Sequence, residues 1–240
     1  MDEWKLEPAR DIGMSRHERH RSLKRESGLV ASVLRLAWWT SVRVTMALFH
    51  RLEIRGRKSL PQSPPFVLVS NHASHLDAIV LGCALPLRWR DQLFPLAAGD
   101  VFFETPALAS FAANVLNAMP VWRRSCGAHA IHDLRLKLVE DTCVYILFPE
   151  GTRSRDGGIG TFKSGIGMLV AGTPVPVVPC HLQGTFESFP PNRVLPRLGK
   201  IVLRLGEPRM FESVTNSHDG WNQISTQLEA AIRQLAAAGV

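Results

Sequence analysis

Twice in this chain a short, unbroken apolar run ends in a knot of polar residues. Phe66–Ser70 reads FVLVS between Pro64–Pro65 and Asn71; Val144–Phe148 reads VYILF and runs into Pro149, Glu150 and Gly151. Runs of this length, rich in β-branched and aromatic side chains and fenced by turn residues, read as buried strands. Helical spacing fills the intervals: Asp77–Leu85, Ala107–Ala118, Ala128–Asp141, Lys163–Ala171 and Asp219–Ala238. Further strands are predicted at Leu93–Ala98, Met119–Trp122, Ile201–Leu205 and Val175–Leu182, the last broken by prolines. The helix over Asp219–Ala238 carries the clearest apolar stripe, with Ile224, Leu228, Ala231, Ile232 and Leu235 on one side. Such alternation specifies an α/β fold: a single layered domain over residues 53–240 with a mixed, largely parallel central sheet flanked by helices. A chain of 240 residues, 45% of them hydrophobic, can bury the core this needs.

The N-terminal fifth is different. Residues 1–26 are highly charged and lack periodic apolar positions, so a mobile arm is expected there. Residues 27–52 are strongly apolar but contain Arg35 and Arg43. Two mid-stretch arginines would each cost roughly 2.5–3.5 kcal/mol in a bilayer core, which argues against a spanning helix. They lie about 80° apart around a helix and so share a side. With Trp38–Trp39 and a basic flank, the segment is expected to be an amphipathic helix in the headgroup layer. Arg35 also interrupts any signal-peptide core.

The formal net charge of +7 favours anionic partners. Basic residues are not interleaved with aromatics, which places lipid and phosphate above nucleic acid. Cys83, Cys126, Cys143 and Cys180 form no C-x-x-C pair and sit among apolar neighbours, so buried reduced thiols and the cytoplasmic side are expected.

The chemistry is concentrated in the two knots. Asn71-His72-Ala-Ser-His75-Leu-Asp77 lies between a strand and a helix, at the sheet edge where open α/β domains bind ligands. On one continuous helix His72 and Asp77 would diverge by ~140°. With His72 in the loop and Asp77 in the first helical turn, they can meet. The carboxylate then holds one imidazole nitrogen and leaves the other to take a hydroxyl proton. His75 is the rival base, but only two residues separate it from Asp77. Ser74 reads as an N-cap, since no G-x-S-x-G elbow surrounds it. A metal cluster is disfavoured by the spacing and by Ala78. In the second knot, Gly151 allows close backbone approach, Thr152 and Ser154 offer hydroxyls, and Arg153 offers a planar fork suited to phosphate. Lys163 begins a predicted helix downstream.

Together, Asn71-His72-x4-Asp77 and Phe148-Pro-Glu150-Gly151-Thr152-Arg153 resemble the glycerolipid acyltransferase family over roughly Pro65–Leu205. The resemblance implies that His72 is the base and Asp77 its orienting partner. It makes Glu150, Gly151, Thr152, Arg153 and Lys163 acceptor-phosphate or site-shaping residues. Met119-Pro120-Val121-Trp122-Arg123-Arg124 stands where the family carries a phosphate-gripping Arg, a role that falls to Arg123, with Arg124 as its rival. The implied reaction moves a fatty acyl group from acyl-CoA or acyl carrier protein to a lysophospholipid, with 1-acylglycerol-3-phosphate as the default acceptor. No cofactor, metal or nucleic acid is implied. An anionic membrane surface is the expected partner, with the enzyme peripheral or monotopic on the cytoplasmic face. Another lyso-lipid or glycolipid acceptor, or a non-catalytic lipid-binding role, are the alternatives.

Overall fold

The computed structural model describes residues 9–26, 28–121 and 128–238, the side chains of Ala128 and His129 excepted. Seven strands form one sheet: β1 (Glu53–Arg55), β2 (Phe66–Ser70), β3 (Leu93–Ala98), β4 (Met119–Val121), β5 (Val144–Leu147), β6 (Val177–Gln183) and β7 (Val202–Leu205). Their spatial order is β1-β7-β6-β2-β5-β3-β4, and β6–β7 is the antiparallel pair among parallel neighbours. The expected mixed, mostly parallel α/β domain is what this chain adopts.

The central strands do not alternate apolar and polar residues because both faces are covered. Phe66, Leu68 and Ile146 face one layer with Val80 and Leu81 of α3 (Asp77–Ala84) and Trp39, Val42 and Met46 of α2 (Leu29–His50). Val67, Val69 and Tyr145 face the other, against α6 (Ala128–Glu140), α7 (Gly165–Val170) and α9 (His218–Ala237). The stripe predicted for the last helix is the one it buries, at Ile224, Leu228 and Ile232, and Ser217 caps its start through Gly220 N–H. Two very short helices, α4 (Gly99–Phe102) and α8 (Thr185–Ser188), follow β3 and β6.

Some expectations need amendment. The strand around Val175–Leu182 is not broken at Pro179: it pairs through that residue with β2, and Pro179 O accepts from Gly206 N–H at 2.8 Å. The helix expected to reach Ala118 is α5 (Pro106–Asn114), and Asn117 follows it with φ +56°. Residues 9–26, expected to be mobile, lie against the domain. They contain a short helix α1 (Arg16–Arg21) with a capping box from Ser15 and Glu18. Arg21 donates to Phe103 O, and buried Arg25 donates to Asn117 Oδ1 and Ala118 O. Arginines that look like solvated charge in sequence here satisfy backbone carbonyls. Cys83, Cys143 and Cys180 are buried free thiols, which burial pushes up, Cys83 to about 11 and Cys143 to about 12. Cys126 lies outside the described residues.

On α2 the two arginines do share a side, and that side faces the protein. Arg35, 1% exposed, pairs with Asp91 at 2.6 Å and donates to Asn114 O, while Arg43 donates to Leu85 O. The outward arc from Leu29 and Val33 through Val44 to Leu48 therefore carries no charged side chain. No helix among the described residues is long and apolar enough to cross a membrane.

Candidate active site

Strand order decides the site. β2 and β5 are adjacent and parallel, with Val69 level with Leu147. The residues just beyond them, His72 and Glu150, must therefore emerge side by side at the carboxyl edge of the sheet. Asn71 fixes the exit of β2 by donating to Leu182 O and accepting from Leu182 N–H, at 3.1 and 2.9 Å. The chain then turns into α3, whose first residue is Asp77.

Asp77 Oδ2 gathers three groups: Ala73 N–H and Ser74 N–H at 2.7 Å each, and His72 Nδ1 at 2.9 Å. Its carboxyl group is fully buried, and Oδ1 has no hydrogen-bond partner. A carboxylate oxygen can only accept, so Nδ1 carries the hydrogen and Nε2 keeps its lone pair. The His72 ring stacks on Phe148 at 4.1 Å between centroids, with 15° between planes. Its backbone is gripped by the second knot: His72 N–H donates to Glu150 Oε1 at 2.9 Å, and His72 O accepts from Ser154 N–H at 2.7 Å. Burial pushes the Glu150 carboxyl up from its ordinary value, against the hydrogen bonds from His72 and Gly160 that stabilise the anion. The imidazole and carboxylate expected to meet across four intervening residues are in contact in the structure.

His75 takes the other side of the loop. It is exposed, its ring lies against the Arg153 guanidinium and 4.9 Å from the Phe189 ring, and burial followed by the Arg153 charge pulls its pKa down. Ser74 does not cap α3 directly. Its hydroxyl donates to Phe189 O at 2.7 Å and accepts from Leu76 N–H at 3.1 Å, a turn-fixing role with no bond to an imidazole.

Gly151 has φ +74°, and the Lys163 side chain lies over it so closely that a Cβ would meet Nζ at 2.9 Å. Lys163 is exposed there, its backbone held by Pro149 O and by the Ser225 hydroxyl of α9. Thr152 is exposed and Arg153 half-buried. Thus His72, Asp77, Glu150, Gly151, Arg153 and Lys163 share one edge, with Arg153 against His75 and Lys163 over Gly151. The helix expected to open at Lys163 begins at Gly165. Arg123, with its rival Arg124, lies outside the described residues. Phe148 as the platform for the ring and Ser154 as a backbone anchor were not assigned roles from sequence. Their only signal is position, directly before and after the Glu150–Arg153 run.

An acyltransferase family model matches residues 51–183. The chain is 32% identical over 175 residues to the chloroplastic 1-acyl-sn-glycerol-3-phosphate acyltransferase BAT2 of Brassica napus, covering 72% of this chain and 46% of that protein. It is 30% identical over 172 residues to the alpha 1-acyl-sn-glycerol-3-phosphate acyltransferase of Mus musculus, covering 69% and 57%. The chain thus spans about half the length of the curated relatives it matches. In fold it is similar to the crystal structure of the 1-acyl-sn-glycerophosphate acyltransferase PlsC of Thermotoga maritima, with TM-score 0.66 and 24% identity over 87% of this chain and 80% of that one. By its two knots, the sheet edge that joins them and the extent of the match, this chain belongs to the acyltransferase family.

Proposed function

We propose that this chain transfers a fatty acyl group from acyl-CoA or acyl carrier protein to the hydroxyl of a lysophospholipid, with 1-acylglycerol-3-phosphate as acceptor, in phospholipid biosynthesis. The observation that carries the reading is the His72–Asp77 contact on the same sheet edge as Glu150 and Arg153. The names of its relatives supply the acceptor. The acceptor hydroxyl oxygen attacks the thioester carbonyl carbon while His72 Nε2 takes its proton, and Asp77 stabilises the resulting imidazolium. Collapse of the tetrahedral intermediate breaks the C–S bond. The imidazolium returns the proton to the leaving sulfur, so an ester and a free thiol are the products. A thioester is already activated, so a base worth ~10²–10⁴-fold plus positioning is a sufficient division of labour. We assign Arg153, Lys163 and Arg123 the task of holding the acceptor phosphate.

The reaction is placed at an anionic membrane surface, with the protein peripheral or monotopic on the cytoplasmic face. Support comes from the +7 net charge, the reduced buried thiols and the uncharged outer arc of α2. The test is incubation of purified protein with acyl-CoA and a panel of lyso-acceptors, reading thiol release and lipid mass. Diacyl product with the wild type and none with His72→Ala is expected. Equal product from a folded His72→Ala protein would remove His72 as the base.

A further inference from the structure

Between α8 and β7 the chain makes a loop with an unusual surface. Val194, Leu195 and Leu198 are 89%, 75% and 76% exposed, three large aliphatic side chains offered to solvent within five residues. Arg193, Arg197 and Lys200 accompany them, and residues 189–200 contain no acidic residue. The loop is tied at both ends. On one side Phe189 O takes the Ser74 hydroxyl, and Pro191 O lies 3.5 Å from His75 Nε2, so the loop begins at the rim of the His72 site. Within the loop, Arg197 N–H donates to Ser188 O at 2.7 Å, which turns the aliphatic stretch outward as a closed bend. On the other side Lys200 pairs with Glu53 at 2.7 Å, and Ile201 N–H donates to His50 O, the last residue of α2. Leu48 and Phe49 are exposed at that same end of α2.

We propose that residues 190–200 are a second bilayer-contacting element, which seats Val194, Leu195 and Leu198 among anionic lipids between the catalytic rim and the outer face of α2. Aliphatic side chains flanked by arginines match the boundary of an anionic bilayer, where apolar groups enter the acyl layer and guanidinium groups meet headgroups. Continuity with α2 favours a bilayer over a protein partner, because the loop's end is tied to the end of α2 where Leu48 and Phe49 are exposed, and one extended lipid surface accommodates both sets of apolar side chains. The inference rests on the active-site reading for its purpose, since it brings the mouth down to where acceptors reside. The vesicle-binding arm of its test does not depend on turnover.

Wild type, Val194→Ser/Leu195→Ser/Leu198→Ser, Arg193→Gln/Arg197→Gln and Leu195→Trp are compared by co-sedimentation with vesicles of phosphatidylethanolamine and phosphatidylglycerol, and with vesicles of phosphatidylcholine. Turnover is measured in parallel on a short-chain, monomerically dissolved lyso-acceptor. The triple serine variant is expected to partition about tenfold less onto anionic vesicles while keeping its turnover on the dissolved acceptor. The glutamine pair should weaken binding to anionic vesicles alone, and Leu195→Trp, whose ring prefers the interface, should strengthen it. Partitioning within twofold of wild type for the serine and glutamine variants, with melting unchanged, would overturn the proposal. So would intact vesicle binding with lost turnover, which would make the loop part of the substrate site. If the wild type acylates no acceptor, the catalytic reading fails, and co-sedimentation still decides this one.

Discussion

Replacing Asp77 with asparagine probes the site at its most determined atom. Oδ2 accepts from two backbone N–H groups and from His72 Nδ1, all within 2.9 Å. Asparagine can keep this geometry in one way only, with its carbonyl oxygen at the Oδ2 position. Its amide nitrogen then falls at the Oδ1 position, which is buried and partnerless, at a cost of about 1–3 kcal/mol for unsatisfied donors. The flipped rotamer points N–H at Ala73 N–H and Ser74 N–H and forces the His72 hydrogen onto Nε2, which abolishes the base. In the favoured rotamer the imidazolium loses a carboxylate in hydrogen-bond contact, worth roughly 4 kcal/mol for delocalised charges centred about 4 Å apart at an effective dielectric near 20. Partial exposure of the His72 ring trims that to about 3–4 kcal/mol, or two to three decades in rate. The expected phenotype is a fall in kcat of ~10²–10³ with KM nearly unchanged, because the pair acts in the transition state. Melting should drop by roughly 2–10 °C for a domain of this size. Thiol release from acyl-CoA with lysophosphatidic acid measures the first, and a thermal melt the second. Turnover within tenfold of wild type in a folded Asp77→Asn protein would refute the assignment of Asp77 as the orienting anion.

Three further outcomes are expected. Glu150→Ala leaves the His72 and Gly160 amides without their acceptor and should destabilise by about 2–4 kcal/mol, while Glu150→Gln, which restores one acceptor, should recover about half in a denaturant titration. His181 is pulled down to about 4 from 6.5, first by burial and then by the Arg204 charge. The unfolded chain therefore binds a proton between those values that the native one does not. Stability is full above pH ~6.5 and falls by up to roughly 3 kcal/mol as pH drops towards 4. His181→Gln should flatten that slope relative to wild type, in which His20, His50 and His75 add slopes of the same sign; an unchanged slope would remove His181 from the account. Gly82→Ala should destabilise by about 1–3 kcal/mol and expose α2 to protease, because the added methyl overlaps the Trp39 indole. Helix propensity alone would make it stabilising by about 1 kcal/mol, so the sign of the melting shift decides.

The parts of the fold and site legible in the sequence were those specified locally. Phe66–Ser70 and Val144–Leu147 announce themselves because strands buried on both faces are apolar almost throughout, Ser70 standing at the end of its run. His72 and Asp77 meet across a loop of four residues, so strand-then-helix reasoning sufficed. Glu150 was named but its contact was not foreseen, since it accepts from the backbone of a residue 78 positions away. That proximity exists only because β2 and β5 are neighbours, which no local pattern encodes. The direction of the α2 arginines escaped for the same reason: the partners of Arg35, Asp91 and Asn114, are 56 and 79 residues distant. Residues 9–26 have no apolar periodicity and are held by arginines on carbonyls, a form of docking that composition reads as solvated charge.

The site divides its labour between two carboxyl groups, and the division explains why the two knots occur together. Asp77 orients the ring of His72, whereas Glu150 and Ser154 clamp its backbone from the neighbouring strand. Neither clamp alone fixes Nε2: a ring tethered only by Asp77 could move with its loop, and a backbone held only by Glu150 would leave the ring free to rotate about its side-chain bonds. Phe148 removes the remaining freedom by stacking on the ring face. An imidazole held this way would need little reorganisation to act as the proposed base, which suits a reaction whose donor is already activated. The burden of selectivity then shifts to whatever brings the acceptor to Nε2. Under the proposed function, Arg153 and Lys163 would hold the acceptor phosphate while its acyl chain arrives from the side on which the rim is open. In the proposed bilayer contact, the uncharged arc of α2 and the aliphatic bend of residues 190–200 would lie on that side.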